Sequence, residues 1–168
     1  MALILTLAFD AASASRFEHA RQAHFPPDRN LIPAHLTLFQ QLPSDRIDEV
    51  ATRLGAVTAE TPPLPFTVDG ILDFGRGAAY RLDMPGFAAF HGALRAAFGG
   101  LLTAQDDRRR KPHVTIQNKV DRATAEATQA ALREGFSPWR GLAHAALLWH
   151  YRGGPWEAAG EFQLEGQR

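Results

Sequence analysis

Two short segments share one pattern of side chains. "PAHLTLF" contains His35-Leu36-Thr37-Leu38, and "KPHVTIQ" contains His113-Val114-Thr115-Ile116, 78 positions later. Each copy is histidine, aliphatic, threonine, aliphatic, and each follows a proline closely (Pro33, Pro112). In an extended strand successive side chains point to opposite faces. His35 and Thr37 then share one face while Leu36 and Leu38 share the other, and the second copy behaves alike. Each segment buries two aliphatics and presents an imidazole beside a hydroxyl. One such pair arises readily in a chain with seven histidines. Two full copies point to a site in which both imidazoles work on one substrate.

That pairing suits the opening of a cyclic phosphodiester. One group must take a proton from water, another must protonate the departing ribose oxygen, and histidine does both near neutrality. Charge building on the phosphate oxygens calls for hydroxyl or backbone N–H donors nearby. Threonine is a poor metal ligand, so the pattern calls for no metal and no cofactor. Two other readings use the same residues. The first is a module that binds a phosphate end or RNA without turnover. The second is a zinc hydrolase built on His35, His113 and a carboxylate, which would need a ligand spacing that the sequence does not show.

The bulk composition sets bounds. The chain has 168 residues, 45% of them hydrophobic, enough for a substantial core in one domain. Lys plus Arg and Asp plus Glu both number 18, which argues against a protein that coats nucleic acid through net charge. Cysteine is absent, which excludes disulfides, thiol nucleophiles and thiolate metal sites and fits a cytoplasmic location. The opening "MALILTLAFD" has no basic residue before its apolar run and reads as a buried strand, not an export signal. No segment is long and apolar enough to predict a membrane span, and no feature calls for an obligate protein partner.

The elements follow from periodicity and punctuation. Residues 2–9 predict a strand, and a helix follows from Ser13 or Ser15 with Phe17 and Ala20 inward, ended by Pro26-Pro27. Residues 34–39 predict a strand, and Ser44 caps a helix over 45–58. "FTVDGILDF", the turn Gly75-Arg76-Gly77 and "AAYRLDM" predict a hairpin. A helix with Phe87, Phe90, Leu94 and Phe98 inward follows. A polar loop then leads to the strand at 113–117, a helix capped by Asp121, and two strands around Gly153-Gly154-Pro155. The order β-α-β-α-β-β-α-β-α-β-β repeats one architecture twice and predicts an α+β class with antiparallel pairing.

These residues resemble the 2H phosphoesterase superfamily, which includes bacterial 2′–5′ RNA ligase-like proteins and RNA 2′,3′-cyclic phosphodiesterases. The resemblance spans nearly the whole chain, from "LIPAHLTLF" through "PFTVDGILDF" and "KPHVTIQ" to "LLWHYRGGPWEAAGEFQL". It implies a single bilobal domain over residues 1–168, a pseudo-twofold duplication with two antiparallel sheets lining a central cleft and helices outside. It also implies cyclic phosphodiesterase activity, reversible toward 2′–5′ ligation, on a nucleotide or RNA bearing a cyclic phosphate end. His35 and His113 would be acid and base, and Thr37 and Thr115 would hold the phosphate. Many RNA-processing members carry an arginine soon after the second motif, where this chain has Gln117-Asn118-Lys119.

Further candidates extend the two strands. Phe39 continues the His35/Thr37 face and is a candidate for stacking on a base. Lys119 lies on the His113 face if that strand runs so far. Tyr151 and Tyr80 are candidate lining residues. Arg108 to Lys111 form a basic loop ahead of the second motif. His19, His24, His91, His144 and His150 lack a partner hydroxyl at the right offset and are read as surface or satisfied histidines. The three tryptophans are read as core.

Overall fold

A computed structural model describes residues 1–167. Its elements run β1 (Ala2–Phe9), α1 (Ala11–His24), β2 (Leu36–Pro43), α2 (Ile47–Glu60), β3 (Leu64–Asp73), β4 (Ala78–Asp83), α3 (Phe87–Ala97), β5 (His113–Gln117), α4 (Arg122–Arg133), β6 (Trp139–Tyr151) and β7 (Glu157–Gln163). The order is the one predicted. Short 3-10 turns at Pro27–Arg29 and Ser44–Arg46 precede β2 and α2.

Local chemistry fixes the helix starts. Asp10 closes β1 and caps α1, its carboxylate accepting from the Ser13 amide at 3.0 Å, so the helix opens before the serines. Asp121 caps α4 in the same way through the Thr124 amide at 2.7 Å, as the sequence predicts. Ser44 lies in the 3-10 turn and makes no such cap.

All seven strands pair antiparallel in the order β2-β1-β6-β3-β4-β5, with β7 also on β6. The expectation of two separate sheets is corrected here, because β6 is long enough to serve both groups of strands. One edge takes β1 along residues 143–151, and the other takes β3 along 139–143 and then β7 along 145–150. Helices α1 and α4 pack on β5 and on β3 and β4 respectively, while α2 and α3 pack together and α2 also covers β2 and β7. The buried set runs through the whole molecule, from Phe9, Phe17 and Phe66 to Leu42, Leu54, Leu94 and Phe98.

The two edge strands, β2 and β5, approach each other. Edge strands carry unpaired backbone groups that need partners when covered. β2 is irregular twice, between the pairs Thr6–Thr37 and Leu5–Phe39 and again between Leu5–Phe39 and Leu3–Leu42. Backbone groups of both stretches are taken up by buried side chains. Asp106, fully buried in the loop before β5, accepts from the amides of Gln40 at 3.0 Å and Gln41 at 2.8 Å. His91 of α3 donates from Nε2 to the Leu38 carbonyl at 3.2 Å. Arg110, one of the four cations of the basic loop, turns inward to pair with Asp106 at 3.3 Å.

Removing the Asp106 carboxylate strands two backbone amides and a largely buried guanidinium together. Asp106→Ala is therefore expected to cost roughly 3 kcal/mol of stability, read as a lowered midpoint in denaturant unfolding, with Asp106→Asn intermediate. An unchanged midpoint in Asp106→Ala would show that the bulge is held by something else.

Candidate active site

His35 stands just ahead of β2 and His113 opens β5. The two imidazoles are held by the same device. His35 Nδ1 donates to the carbonyl of Pro33 at 2.8 Å, and His113 Nδ1 donates to the carbonyl of Lys111 at 2.9 Å. A carbonyl only accepts, so the proton of each neutral ring sits on Nδ1 and the lone pair is on Nε2. Each ring also meets an aromatic side chain from beside or within a hairpin turn. Trp156 lies 4.7 Å from His35 between centroids, and Phe74 meets His113 edge-on at 5.2 Å.

The motif side chains alternate as predicted. Leu36, Leu38, Val114 and Ile116 are buried, while His35, Thr37, His113 and Thr115 are half-buried. Among the described residues no hydrogen bond occupies the hydroxyl of Thr37 or Thr115. The charge of a protonated His113 reaches His35 and disfavours its protonation, so the two rings lie within electrostatic range of each other.

A residue absent from the sequence-based candidates touches one motif and lies within electrostatic reach of the other. Arg21 of α1 is only 4% exposed. Its Nε donates to Asn30 Oδ1 at 3.0 Å, its guanidinium also donates to the Thr115 carbonyl at 3.0 Å, and its charged end lies 3.9 Å over the Phe25 ring. It satisfies a carbonyl of the edge strand β5 and places a cation near both motifs. The sequence carries a signal for it, because Arg21 falls one turn after inward-facing Phe17, and a charge at a core position implies a fixed partner.

Burial is the main cause that pushes His35 down, to about 4. The Pro33 hydrogen bond opposes this, and Arg21 and then His113 add to the lowering. His35 is thus neutral at physiological pH.

The other candidates fall elsewhere. Phe39 is wholly buried, stacked on His91 at 4.7 Å and edge-on to Phe98 at 5.5 Å. The β2 bulge shifts parity by one residue, so Phe39 leaves the histidine face and joins the core. β5 ends at Gln117, and Lys119 lies beyond it with φ of 60°, exposed, so the strand alternation that would aim it at the site does not reach it. Tyr151 pairs with Ala2 at the far end of β1, whereas Leu36 pairs with Leu7 near the other end. Tyr80 is buried among Phe17, Phe136 and Trp139. His91 and His144 are satisfied by the carbonyls of Leu38 and Phe9, as predicted. Trp149 and Trp156 are half-buried beside His35 and do not lie in the core. No cluster of three or more His, Cys, Asp or Glu side chains fit to hold a metal ion occurs among the described residues. None of their helices is long and apolar enough to cross a membrane.

Residues 9–155 match the sequence profile of the 2′-5′ RNA ligase superfamily. The chain belongs to that superfamily. The fold has solved counterparts. TT0787 of Thermus thermophilus is 19% identical, with a TM-score of 0.72 and all of both chains covered. Escherichia coli LigT complexed with 3′-AMP is 18% identical, with a TM-score of 0.65 and 97% of both chains covered. A structure described as a phosphoesterase is 19% identical, with a TM-score of 0.66 and 99% of both chains covered. No curated protein matches the sequence. Membership makes the chain one of the 2H phosphoesterases or 2′-5′ RNA ligase-like proteins, a superfamily of enzymes.

The lowered value for His35 has a linked effect on folding. In the unfolded chain the ring titrates near 6.5, so between about 6.5 and about 4 only the unfolded state takes up the proton. Stability from neutral His35 is complete above that window and is lost as pH falls through it. An NMR titration should place the His35 imidazole midpoint below about 5, and Arg21→Met should raise it. A wild-type midpoint in the ordinary histidine range would remove this account of its environment.

Proposed function

We propose that this protein is a metal-independent phosphoesterase that opens a cyclic phosphodiester, either an RNA 2′,3′-cyclic phosphate end or a small cyclic nucleotide. The whole chain, residues 1–168, acts as one bilobal 2H-type unit in the cytoplasm. The observation that carries the reading is the matched Nδ1 lock. Two imidazoles on facing edge strands keep the same tautomer through the same backbone contact, which leaves two Nε2 atoms for proton transfer. Membership of the superfamily supports phosphoester chemistry.

The proposed steps use these groups in turn. His35, held neutral, accepts a proton from water as the water oxygen attacks phosphorus. The bond from phosphorus to one ribose oxygen breaks, and protonated His113 gives its proton to that oxygen. Thr37 and Thr115 donate to the non-bridging oxygens, where charge accumulates. With an RNA 5′-hydroxyl in place of water, the same step in the same direction would join the cyclic phosphate end to a second strand through a 2′–5′ bond as the ribose 3′-oxygen leaves, and its reverse would cleave that bond and re-form the ring. Arg21 supports the site from beneath by holding β5 and adding positive charge close to the phosphate position. Its guanidinium offers a substitute for the arginine that many RNA-processing members place after the second motif.

The purified protein should hydrolyse nucleoside 2′,3′-cyclic phosphates in the presence of a chelator. His35→Ala and His113→Ala should each lower kcat by at least ~100-fold with the fold intact by circular dichroism. Full activity in both variants, or loss of wild-type activity on chelation, would end the proposal.

A further inference from the structure

Between α1 and the C-terminal end of α4 lies a cavity of about 500 Å³, and none of the four motif residues lines it. One wall is α1, which presents Arg16, His19 and His24 over roughly two turns of one face. The base is aromatic, with Tyr80 edge-on to Trp139 at 5.4 Å and stacked on Phe136 at 6.3 Å. The opposite wall carries Glu134 and Gly135, which follow α4. Several polar groups here have no partner within the protein. The Arg16 guanidinium lies 3.7 Å over the Trp139 ring, and among the described residues no acceptor takes its N–H groups. Tyr80 is only 9% exposed, yet its hydroxyl makes no hydrogen bond among those residues. The rings of His19 and His24 make none there either.

We infer that this cavity is a second binding site, separate from the two motif histidines, for a phosphate monoester carried on a hydroxylated body such as a sugar. The inference does not depend on the phosphoesterase reading. A guanidinium held over an indole keeps its fork of N–H donors available to an oxyanion. The stacking also fixes the fork in advance, so less freedom is lost on binding. Burial pushes the Tyr80 pKa up, so its hydroxyl keeps its proton and donates from the base of the cavity. Burial pushes His24 down, so that ring enters neutral, with one N–H to give. Donors thus come from the α1 wall and from the base. That spread suits the three terminal oxygens of a monoester better than the two of a carboxylate or a diester. The opposite wall has the reverse character. The Glu134 carboxylate and the negative end of the α4 dipole repel an anion and accept from hydroxyl groups. The ligand is therefore oriented, with its phosphate toward Arg16 and its hydroxyls toward Glu134.

The test is an NMR titration of the full chain with ribose 5-phosphate, inorganic phosphate, dimethyl phosphate and acetate. The Trp139 indole N–H and the Gly135 amide report on this cavity, and the Trp156 indole N–H reports separately on the motif site. Ribose 5-phosphate should shift the Trp139 and Gly135 signals saturably, while dimethyl phosphate and acetate at the same concentration should leave them in place. Arg16→Gln should weaken that binding by at least ~10-fold, Arg16→Lys should restore only part of it, and Tyr80→Phe should cost about 3-fold. Arg16 is exposed and Tyr80→Phe keeps the aromatic packing, so these variants retain the fold. None of them should change the response of Trp156. Ribose 5-phosphate should bind about 3-fold tighter than inorganic phosphate, and Glu134→Gln should narrow that gap. Equal binding of the two would strike the hydroxylated body and keep the phosphate site. Equal shifts from acetate would strike the monoester assignment. No saturable shift at Trp139 and Gly135, or shifts that Arg16→Gln leaves unaltered, would overturn the site itself, and each of these outcomes leaves the two-histidine reading untouched.

Discussion

The arrangement of this molecule depends on how two edge strands are satisfied. β2 and β5 end the strand order, and each leaves backbone groups that its one neighbour cannot take. A buried anion, Asp106, closes amides of β2, and a buried cation, Arg21, closes a carbonyl of β5. Each of these charged groups comes from the other half of the chain. Asp106 belongs to the loop that leads into β5, and Arg21 belongs to the helix that follows β1. The contacts therefore do two things together. They remove the cost of bare backbone at a covered edge, and they draw the two edges toward each other. The histidines ride on those edges, so their proximity is a by-product of satisfying the backbone.

Much of this is legible in the sequence because it depends on short-range rules. Alternation places His35 with Thr37 and His113 with Thr115. Proline pairs, glycine turns and the Asp121 cap give the element order. The departures share one cause, since each depends on what lies across from a residue. Phe39 obeys alternation only until the bulge at Leu38 shifts the parity, and the Leu38 carbonyl at that bulge is taken by His91 from another element. Lys119 would need a strand two residues longer than β5. Tyr151 lies at the correct strand but the wrong end. The sequence suggests two sheets because no local pattern says that β6 will pair along both edges at once. Arg21, Trp149 and Trp156 escape sequence reasoning for a similar reason. Their spacing or type suits a core, and only the assembled molecule shows what each of them faces.

The two copies of the motif are equal in wording and unequal in setting. Both rings keep the same tautomer by the same contact to the residue two positions back. Around that shared frame, His35 lies under the field of Arg21 and against the indole of Trp156, beside an apolar cavity. His113 meets the edge of the partly exposed Phe74. A repeated phrase thus supplies two similar imidazoles, and the flanking elements make their settings different. The proposed acid–base reaction would draw on that difference.

β6 has a further consequence for how the chain comes into being. β1 finds its inner partner only when residues 143–151 exist, and β3 finds its own only when 139–143 do. On the ribosome, β1 and β3 therefore each emerge with one edge whose backbone groups nothing upstream can pair. Closure awaits β6, across a long stretch of intervening chain, which makes the ordering entropy large and folding slow. Such a nascent chain would lean on holding chaperones during synthesis, and its vulnerability to sticking would end as the last hairpin zips into place.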